Sequence, residues 1–129
     1  MINTQLPVEV KLKDVCKIGD IFYSSWGYEQ TNIDFYMVTK VHNSMVDIVH
    51  IESKIADEQK DNTNYTTVLV KPYPVIPGNA KVMRKKVTIS LIETKDNTKV
   101  DLGIRISSFQ WGSKWDGRPL AETHSYYGH

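Results

Sequence analysis

The sequence predicts a mainly β chain folded as one small antiparallel barrel or sandwich. Three observations predict it: runs of β-branched and aromatic residues recur, turn-forming segments separate most of them, and helix-forming stretches are few. The chain of 129 residues has the size of one domain with one core, and no break in composition marks a second. We therefore expect a single domain, 1–129, with at most one or two short helices.

A first β-hairpin is predicted from the segments DFYMVTKVH and MVDIVHIES, which flank Asn43 and Ser44. A two-residue turn there sets the register by arithmetic. The expected cross-strand pairs are Lys40 with Asp47, Val38 with Val49, and Tyr36 with Ile51. One pair of opposite charge and two apolar pairs favour this hairpin.

A second hairpin is predicted from KKVTISLIE and KVDLGIRIS around the turn-forming segment TKDNT. Its later strand alternates apolar and polar positions, so the apolar set is expected to be buried: Val100, Leu102, Ile104 and Ile106. NYTTVLVKPY predicts a further strand. LKDVCKI predicts one helical turn, and ESKIADEQKDN is compatible with a short helix or a loop. This order is compatible with an SH3-like barrel.

Charge and composition argue against several classes of protein. Sixteen basic and fifteen acidic residues leave a net charge of +1, so electrostatic binding would need a local patch. No apolar run approaches the roughly 18 residues of a membrane span, and the N-terminus lacks the pattern of a secretory signal. The single cysteine, Cys16, fits a reducing compartment and is expected to be a buried thiol. We expect a cytoplasmic protein.

The segment SSWGYEQTN combines aromatic rings with hydrogen-bonding side chains, and Gly27 within it favours a tight bend. One interpretation is a rigid structural loop whose polar groups bond to the backbone. The other is a recognition loop that stacks on a planar ligand and reads its edge. The ligand-binding candidates in this block are Trp26, Tyr28, Gln30 and Asn32.

The segment WGSKWDGRP adds a second block of candidates: Trp111, Trp115, Asp116 and Arg118. Arg118 could clamp a phosphate or carboxylate through its guanidinium fork, or pair locally with Asp116. The tryptophans could stack on a ligand or seal the sheet. If folding brings both blocks to one end of the barrel, the combined residue types favour a binding site.

Other chemistry has weaker support. The run Arg84, Lys85 and Lys86 is either a solvated strand edge or a phosphate-contacting patch. The four histidines lack the spacing of a metal site, so no metal is expected. No nucleotide-binding loop, dinucleotide fingerprint or nucleophile elbow is present, so no cofactor is implied. An acid–base set would need Asp116, Glu122 and His124 around one cleft.

Four segments together resemble a family of small uncharacterised proteins encoded by bacteriophages and mobile elements: SSWGYEQTNIDFYMV, PVIPGNAKVMRKKV, IRISSFQWGSKWDGRPLAET and YYGH. The chain departs from the family pattern at Glu29, where the family has aspartate, and at Arg118, where it has lysine. Residues 52–70 match nothing in it. The resemblance implies a phage or mobile-element origin and an intracellular setting, and it implies no catalytic residue.

The sequence thus favours a non-enzymatic binding protein, an accessory or counter-defence factor. Its partner would be a host protein surface or a nucleotide-type small ligand held by the aromatic-polar loops. The alternative is a nucleic-acid-binding barrel that uses the basic run, and a small hydrolase is a weaker third hypothesis. Self-association through an exposed strand edge stays open.

Overall fold

The computed structural model describes residues 10–27, 30–56, 67–93 and 95–123, and in them the chain forms one short helix and nine strands. These elements are α1 (Leu12–Val15), β1 (Ile21–Trp26), β2 (Asn32–Val41), β3 (Met45–Ile51), β4 (Ser53–Ile55), β5 (Thr67–Pro72), β6 (Met83–Glu93), β7 (Thr98–Arg105), β8 (Trp111–Lys114) and β9 (Leu120–Thr123).

Six of the strands close a barrel in the order β1-β2-β3-β6-β7-β8, with β8 pairing back to β1. All neighbouring strands in it are antiparallel. The prediction of a mainly β, antiparallel barrel is therefore confirmed. The strand expected from NYTTVLVKPY exists as β5, but it lies in a separate three-stranded sheet, β4-β5-β9. The short strands β4, β8 and β9 were not predicted.

Two apolar clusters stabilise this arrangement, one on each face of the barrel wall. Phe22, Tyr36 and Ile48 belong to the cluster inside the barrel, which Leu12 and Cys16 also join. A second cluster between the wall and the small sheet contains Ile21, Ile33, Phe35, Val49, Ile51 and Val70. Because successive strand residues point to opposite faces, β1, β2 and β3 serve both clusters at once.

The first hairpin has the expected turn but a different register beyond it. His42 N–H donates to the carbonyl of Met45, and Lys40 pairs with Asp47 as predicted. A β-bulge at Thr39 then shifts the ladder by one residue. The predicted pairs of Val38 with Val49 and Tyr36 with Ile51 are wrong, because an extra residue on β2 cannot be read from turn length. Val38 pairs with Ile48, and Tyr36 pairs with His50.

The second hairpin, β6 and β7, is confirmed with its alternation. Leu102, Ile104 and Ile106 are buried. Val100 is 40% exposed, which corrects its predicted burial. The reason is that neither β3 nor β8 pairs with this outer part of the hairpin, so the strands there have no barrel wall beside them.

The helical turn predicted from LKDVCKI is confirmed as α1, and the thiol of Cys16 beside it is buried as expected. Burial, together with the nearby Asp20 carboxylate, raises the pKa of the Cys16 thiol to about 11. Of the ambiguous segment 52–62, residues 53–55 form β4 and residues 57–62 lie outside the described residues. No helix in the described part has the length and apolar character needed to cross a membrane.

Trp115 lies in the cluster between barrel and sheet, so its removal tests that contact. Its ring meets the Phe35 ring edge-on at 6.2 Å, and its indole N–H donates to the Arg118 carbonyl at 2.8 Å. We expect Trp115→Ala to lower the free energy of unfolding in urea by about 2–4 kcal/mol. Phe109→Ala, at a site 73% exposed, should change it by less than about 1 kcal/mol. Equal losses in both variants would contradict this packing.

Candidate functional site

One end of the barrel collects aromatic side chains from separate parts of the chain. β1 ends at Trp26, and residues 107–110 connect β7 to Trp111 at the start of β8. β1 and β8 are antiparallel, with Tyr23 facing Ser113, so the end of β1 and the start of β8 lie at the same end of the barrel. The Phe109 ring meets the Trp26 ring edge-on at a centroid distance of 6.4 Å.

These three aromatic side chains are also exposed. Trp26 is 37% exposed, Trp111 is 50% exposed and Phe109 is 73% exposed. We call the surface formed by Trp26, Phe109 and Trp111 the aromatic end. Clustered exposed apolar groups on a small protein are typical of a contact surface rather than of random surface composition.

Trp111 is held flat against the barrel wall by Gly103 on the neighbouring strand. A Cβ atom at Gly103 would overlap the Trp111 indole, with atoms Cε2 and Nε1 at 2.7 and 2.9 Å. Gly103 is buried although it faces outward, because the indole covers it. One face of Trp111 thus packs on the strand, and its half-exposed ring can offer the other face to a planar ligand.

A shallow groove of about 200 Å³ runs beside this ring. Its lining combines a guanidinium, two hydroxyls, an amide residue and two aromatics: Arg105, Ser107, Ser108, Phe109, Gln110 and Trp111. Arg105 and Trp111 are direct cross-strand partners. Arg105 forms no ion pair with the carboxylates of the described residues, so its charge can meet an anionic ligand.

A carboxylate organises the inner side of the aromatic end. Asp34 Oδ2 accepts hydrogen bonds from Trp26 Nε1 at 2.8 Å and from Gln110 Nε2 at 3.2 Å, and Asp34 Oδ1 lies 3.6 Å from His50 Nε2. We call these four residues the Asp34 cluster. It joins β1, β2 and β3 to the connection 107–110, so it positions Trp26 relative to Phe109.

The charges in this cluster support one another. The contact with His50 lowers the pKa of Asp34, and the hydrogen bonds from Trp26 and Gln110 act in the same direction. Asp34 in turn raises the pKa of His50. Burial, with a contribution from the Asp34 charge, raises the pKa of Tyr36 to about 12. The hydroxyl of Ser24, directly across the ladder from Asp34, is buried and has no hydrogen-bond partner among the described residues.

The first sequence-predicted block divides into two roles. Trp26 belongs to the aromatic end, whereas Gln30 and Asn32 bond locally. Gln30 Nε2 donates to Asn32 Oδ1, and Asn32 Nδ2 donates to the Trp26 carbonyl, both at 3.4 Å. Gly27 has a φ of 129°, and a Cβ there would overlap the Gln30 backbone, so the expected tight bend is present. Tyr28 lies outside the described residues.

The second block is also divided, because only Trp111 lies at the aromatic end. The backbone N–H of Trp115 donates to the carbonyl of Ile21, at the opposite end of β1 and about 17 Å from Trp26 along the strand. Arg118 bonds to Asp116 through both Nε and Nη2, at 2.9 and 2.7 Å. This is the local pairing of the structural interpretation, and it lowers the pKa of Asp116.

The basic run does not form an open strand edge, since β6 pairs with β3 from Met83 to Lys86. Arg84 Nε donates to Asp47 Oδ1 at 2.8 Å, and this holds the pKa of Asp47 down at about 2. Lys85 is half-buried and donates to the Ile106 carbonyl at 2.8 Å. Two of the three cations are thus engaged by the protein itself.

The residues named for acid–base or metal chemistry do not form a described cleft. Asp116 is held by Arg118, and a Glu122 carboxylate oxygen accepts the Ile33 N–H at 2.8 Å. His124 lies outside the described residues. Within the described ranges, no three His, Cys, Asp or Glu side chains are grouped as a metal site.

Sequence reasoning missed most of the residues that shape this end of the barrel: Asp34, His50, Arg105, Phe109 and Gln110. A signal existed for Phe109, since an aromatic between two serines and a glutamine is typical of an exposed connection. For His50 no such signal existed, because the bulge at Thr39 of β2 determines that His50, and not Ile51, pairs with Tyr36.

Comparison with known proteins identifies no relative of this chain. No family model, curated protein or solved structure matches the chain.

The Asp34–His50 contact predicts a defined pH dependence of stability. A raised His50 pKa stabilises the fold most below the unfolded value of about 6.5 and less as pH rises through the folded pKa. The lowered pKa of Asp34 stabilises the fold at pH values above the unfolded pKa of about 3.9, and this stabilisation is lost as the pH falls through the folded pKa. We expect His50→Gln to destabilise the protein in urea at pH 5.5 and to have little effect at pH 8.5. An effect equal at both pH values would mean that the ion pair does not contribute.

Proposed function

We propose that this chain is a non-enzymatic binding protein that holds a nucleotide-type ligand at its aromatic end. The observation that carries the proposal is the pairing of Trp111 with Arg105 across neighbouring strands. Trp111 supplies a flat apolar face that packs on Gly103. Arg105 supplies a cation without a carboxylate partner among the described residues. A base with a phosphate attached presents the complementary pair of groups.

The groove beside Trp111 has the composition that such a ligand requires. Stacking a base on an aromatic ring contributes about 1–3 kcal/mol. The hydroxyls of Ser107 and Ser108 line the groove together with Arg105, and a guanidinium and hydroxyls are suitable donors to phosphate oxygens. At about 200 Å³ the groove is small and open, so it favours a single nucleotide unit over a large cofactor.

The alternative of a nucleic-acid interface along the basic run has less support. Arg84 and Lys85 already bond to Asp47 and to the Ile106 carbonyl, so using them for phosphates would break existing contacts. A site that binds many phosphates also needs a larger basic excess than the net charge of +1 offers. We therefore keep the aromatic end as the proposed site.

The biological setting of the proposal rests on the sequence resemblance. A phage or mobile-element protein that sequesters a nucleotide-type signal in the host cytoplasm would need affinity rather than turnover. The lack of a recognised catalytic motif is compatible with this role of accessory or counter-defence factor. A host protein surface is the other partner that exposed tryptophan, phenylalanine and arginine side chains suit.

Two substitutions in the groove test the proposal against matched controls. Wild-type protein is titrated by calorimetry with AMP, GMP, CMP and UMP, and with the corresponding nucleosides. We expect Trp111→Ala to weaken nucleotide binding about 5- to 100-fold. Arg105→Ala should weaken binding of the nucleotides but not of the nucleosides. Arg118→Ala removes an exposed arginine that is bound to Asp116, so it should leave affinity unchanged.

If Arg105→Ala and Arg118→Ala changed the affinity for nucleotides equally, the groove would not be the binding site. Wild-type protein that binds none of these nucleotides at millimolar concentration would contradict a mononucleotide ligand. In that case, a host protein that cross-links to a probe at position 26 or 109 would favour a protein surface as the partner.

A further inference from the structure

The β6–β7 hairpin extends beyond the barrel as a two-stranded ribbon. β3 pairs with β6 only as far as Lys86, and β8 pairs with β7 only from Gly103 to Arg105. The outer part of β7, Thr98 to Asp101, is exposed, and among the described residues it pairs with β6 alone. We call this stretch the open edge of β7.

The direction of its backbone groups follows from the ladder. Ile106 N–H donates to the Gln110 carbonyl, so the backbone of Ile106 points away from β6. Alternation along an antiparallel strand then directs the N–H and C=O groups of Val100 and Thr98 to the same side. These groups face solvent without a strand partner in the described chain, and such an edge is a template for another strand.

We propose that the open edge of β7 pairs antiparallel with the same edge of a second copy of this chain, centred on Val100. A two-fold axis requires a self-complementary segment. The sequence Lys99-Val100-Asp101 has this property, because centring on Val100 places Lys99 opposite the partner's Asp101 and Asp101 opposite the partner's Lys99. Charges of opposite sign therefore meet twice, and Val100 meets the partner's Val100.

The pairing also extends rows that already cross the ribbon. Leu91 lies opposite Val100 on β6, so an apolar row would continue from Leu91 through Val100 into the partner's Val100 and the partner's Leu91. On the other face Ser90 lies opposite Asp101, and Ile92 lies opposite Lys99. Val100, which is 40% exposed, would gain the partner's Val100 as a neighbour in the four-stranded sheet.

The opposite edge of the ribbon lacks this complementarity. Along β6, residues 88–92 are TISLI and carry no charge that could set a register. Opposite charges that face each other across strands favour one register and like charges disfavour another, so β7 is the edge that specifies a partner. The open edge lies at the start of β7, away from the aromatic end, so the dimer leaves both ligand sites accessible.

Charge reversal at the edge tests the register. Self-association is measured by sedimentation equilibrium from micromolar to millimolar concentration, with circular dichroism as the check of folding. We expect the wild type to dimerise, and Lys99→Asp or Asp101→Lys to weaken dimerisation at least about tenfold, because like charges then face each other twice. The double variant K99D/D101K restores opposite pairs and should recover the wild-type constant.

Lys95→Asp is the matched control, since it reverses an exposed charge on the same hairpin outside the proposed contact. It should dimerise like the wild type, apart from general salt-dependent effects. A wild type that stays monomeric at millimolar concentration would overturn the proposal. So would single variants that associate as well as the wild type, or a double variant that fails to recover.

Discussion

The aromatic end depends on one half-buried carboxylate. Taking the charge of Asp34 partly out of water is unfavourable unless donors replace the lost hydration. Trp26 and Gln110 donate hydrogen bonds to Asp34 at 2.8 and 3.2 Å, and His50 lies within ion-pair distance at 3.6 Å; the three residues come from different parts of the chain. Satisfying one charge therefore fixes the end of β1, the end of β3 and the connection 107–110 relative to one another. The Trp26 ring is positioned by its hydrogen bond to Asp34, and the Phe109 ring packs edge-on against it.

That arrangement exists because β2 contains one residue more than its partner. The bulge at Thr39, whose hydroxyl donates to the Asp47 carbonyl at 3.3 Å, shifts the ladder so that Tyr36 lies beside His50. In a regular hairpin Ile51 would take that position and His50 would face the small sheet. The bulge near the turn thus determines which side chain of β3 lies beside Tyr36, because a one-residue shift in register moves every side chain of a strand to the opposite face.

The parts of the fold that depend on local pattern could be predicted, and the parts that depend on distant pairing could not. Recurring strand segments separated by turns predicted the barrel class, alternation predicted the buried face of the β6–β7 hairpin, and the segment LKDVCKI predicted the helical turn before β1. Trp111 and Trp115 look equivalent in sequence, yet one covers Gly103 at the surface and the other packs on Phe35. Trp111 begins β8, and Trp115 directly follows its last residue. The pairing of β8 with β7 and β1 determines which of the two indoles is available to a ligand.

The protonation of Asp34 and the protection of its donors test this account most directly. Nuclear magnetic resonance of labelled protein can follow the Asp34 carboxyl carbon as pH falls, and the hydrogen exchange of the Trp26 indole N–H at constant pH. The account predicts an Asp34 pKa below the usual 3.9 or so, and an indole proton that exchanges more slowly than the one on Trp111. An Asp34 that titrates normally, with Trp26 and Trp111 exchanging equally fast, would contradict it.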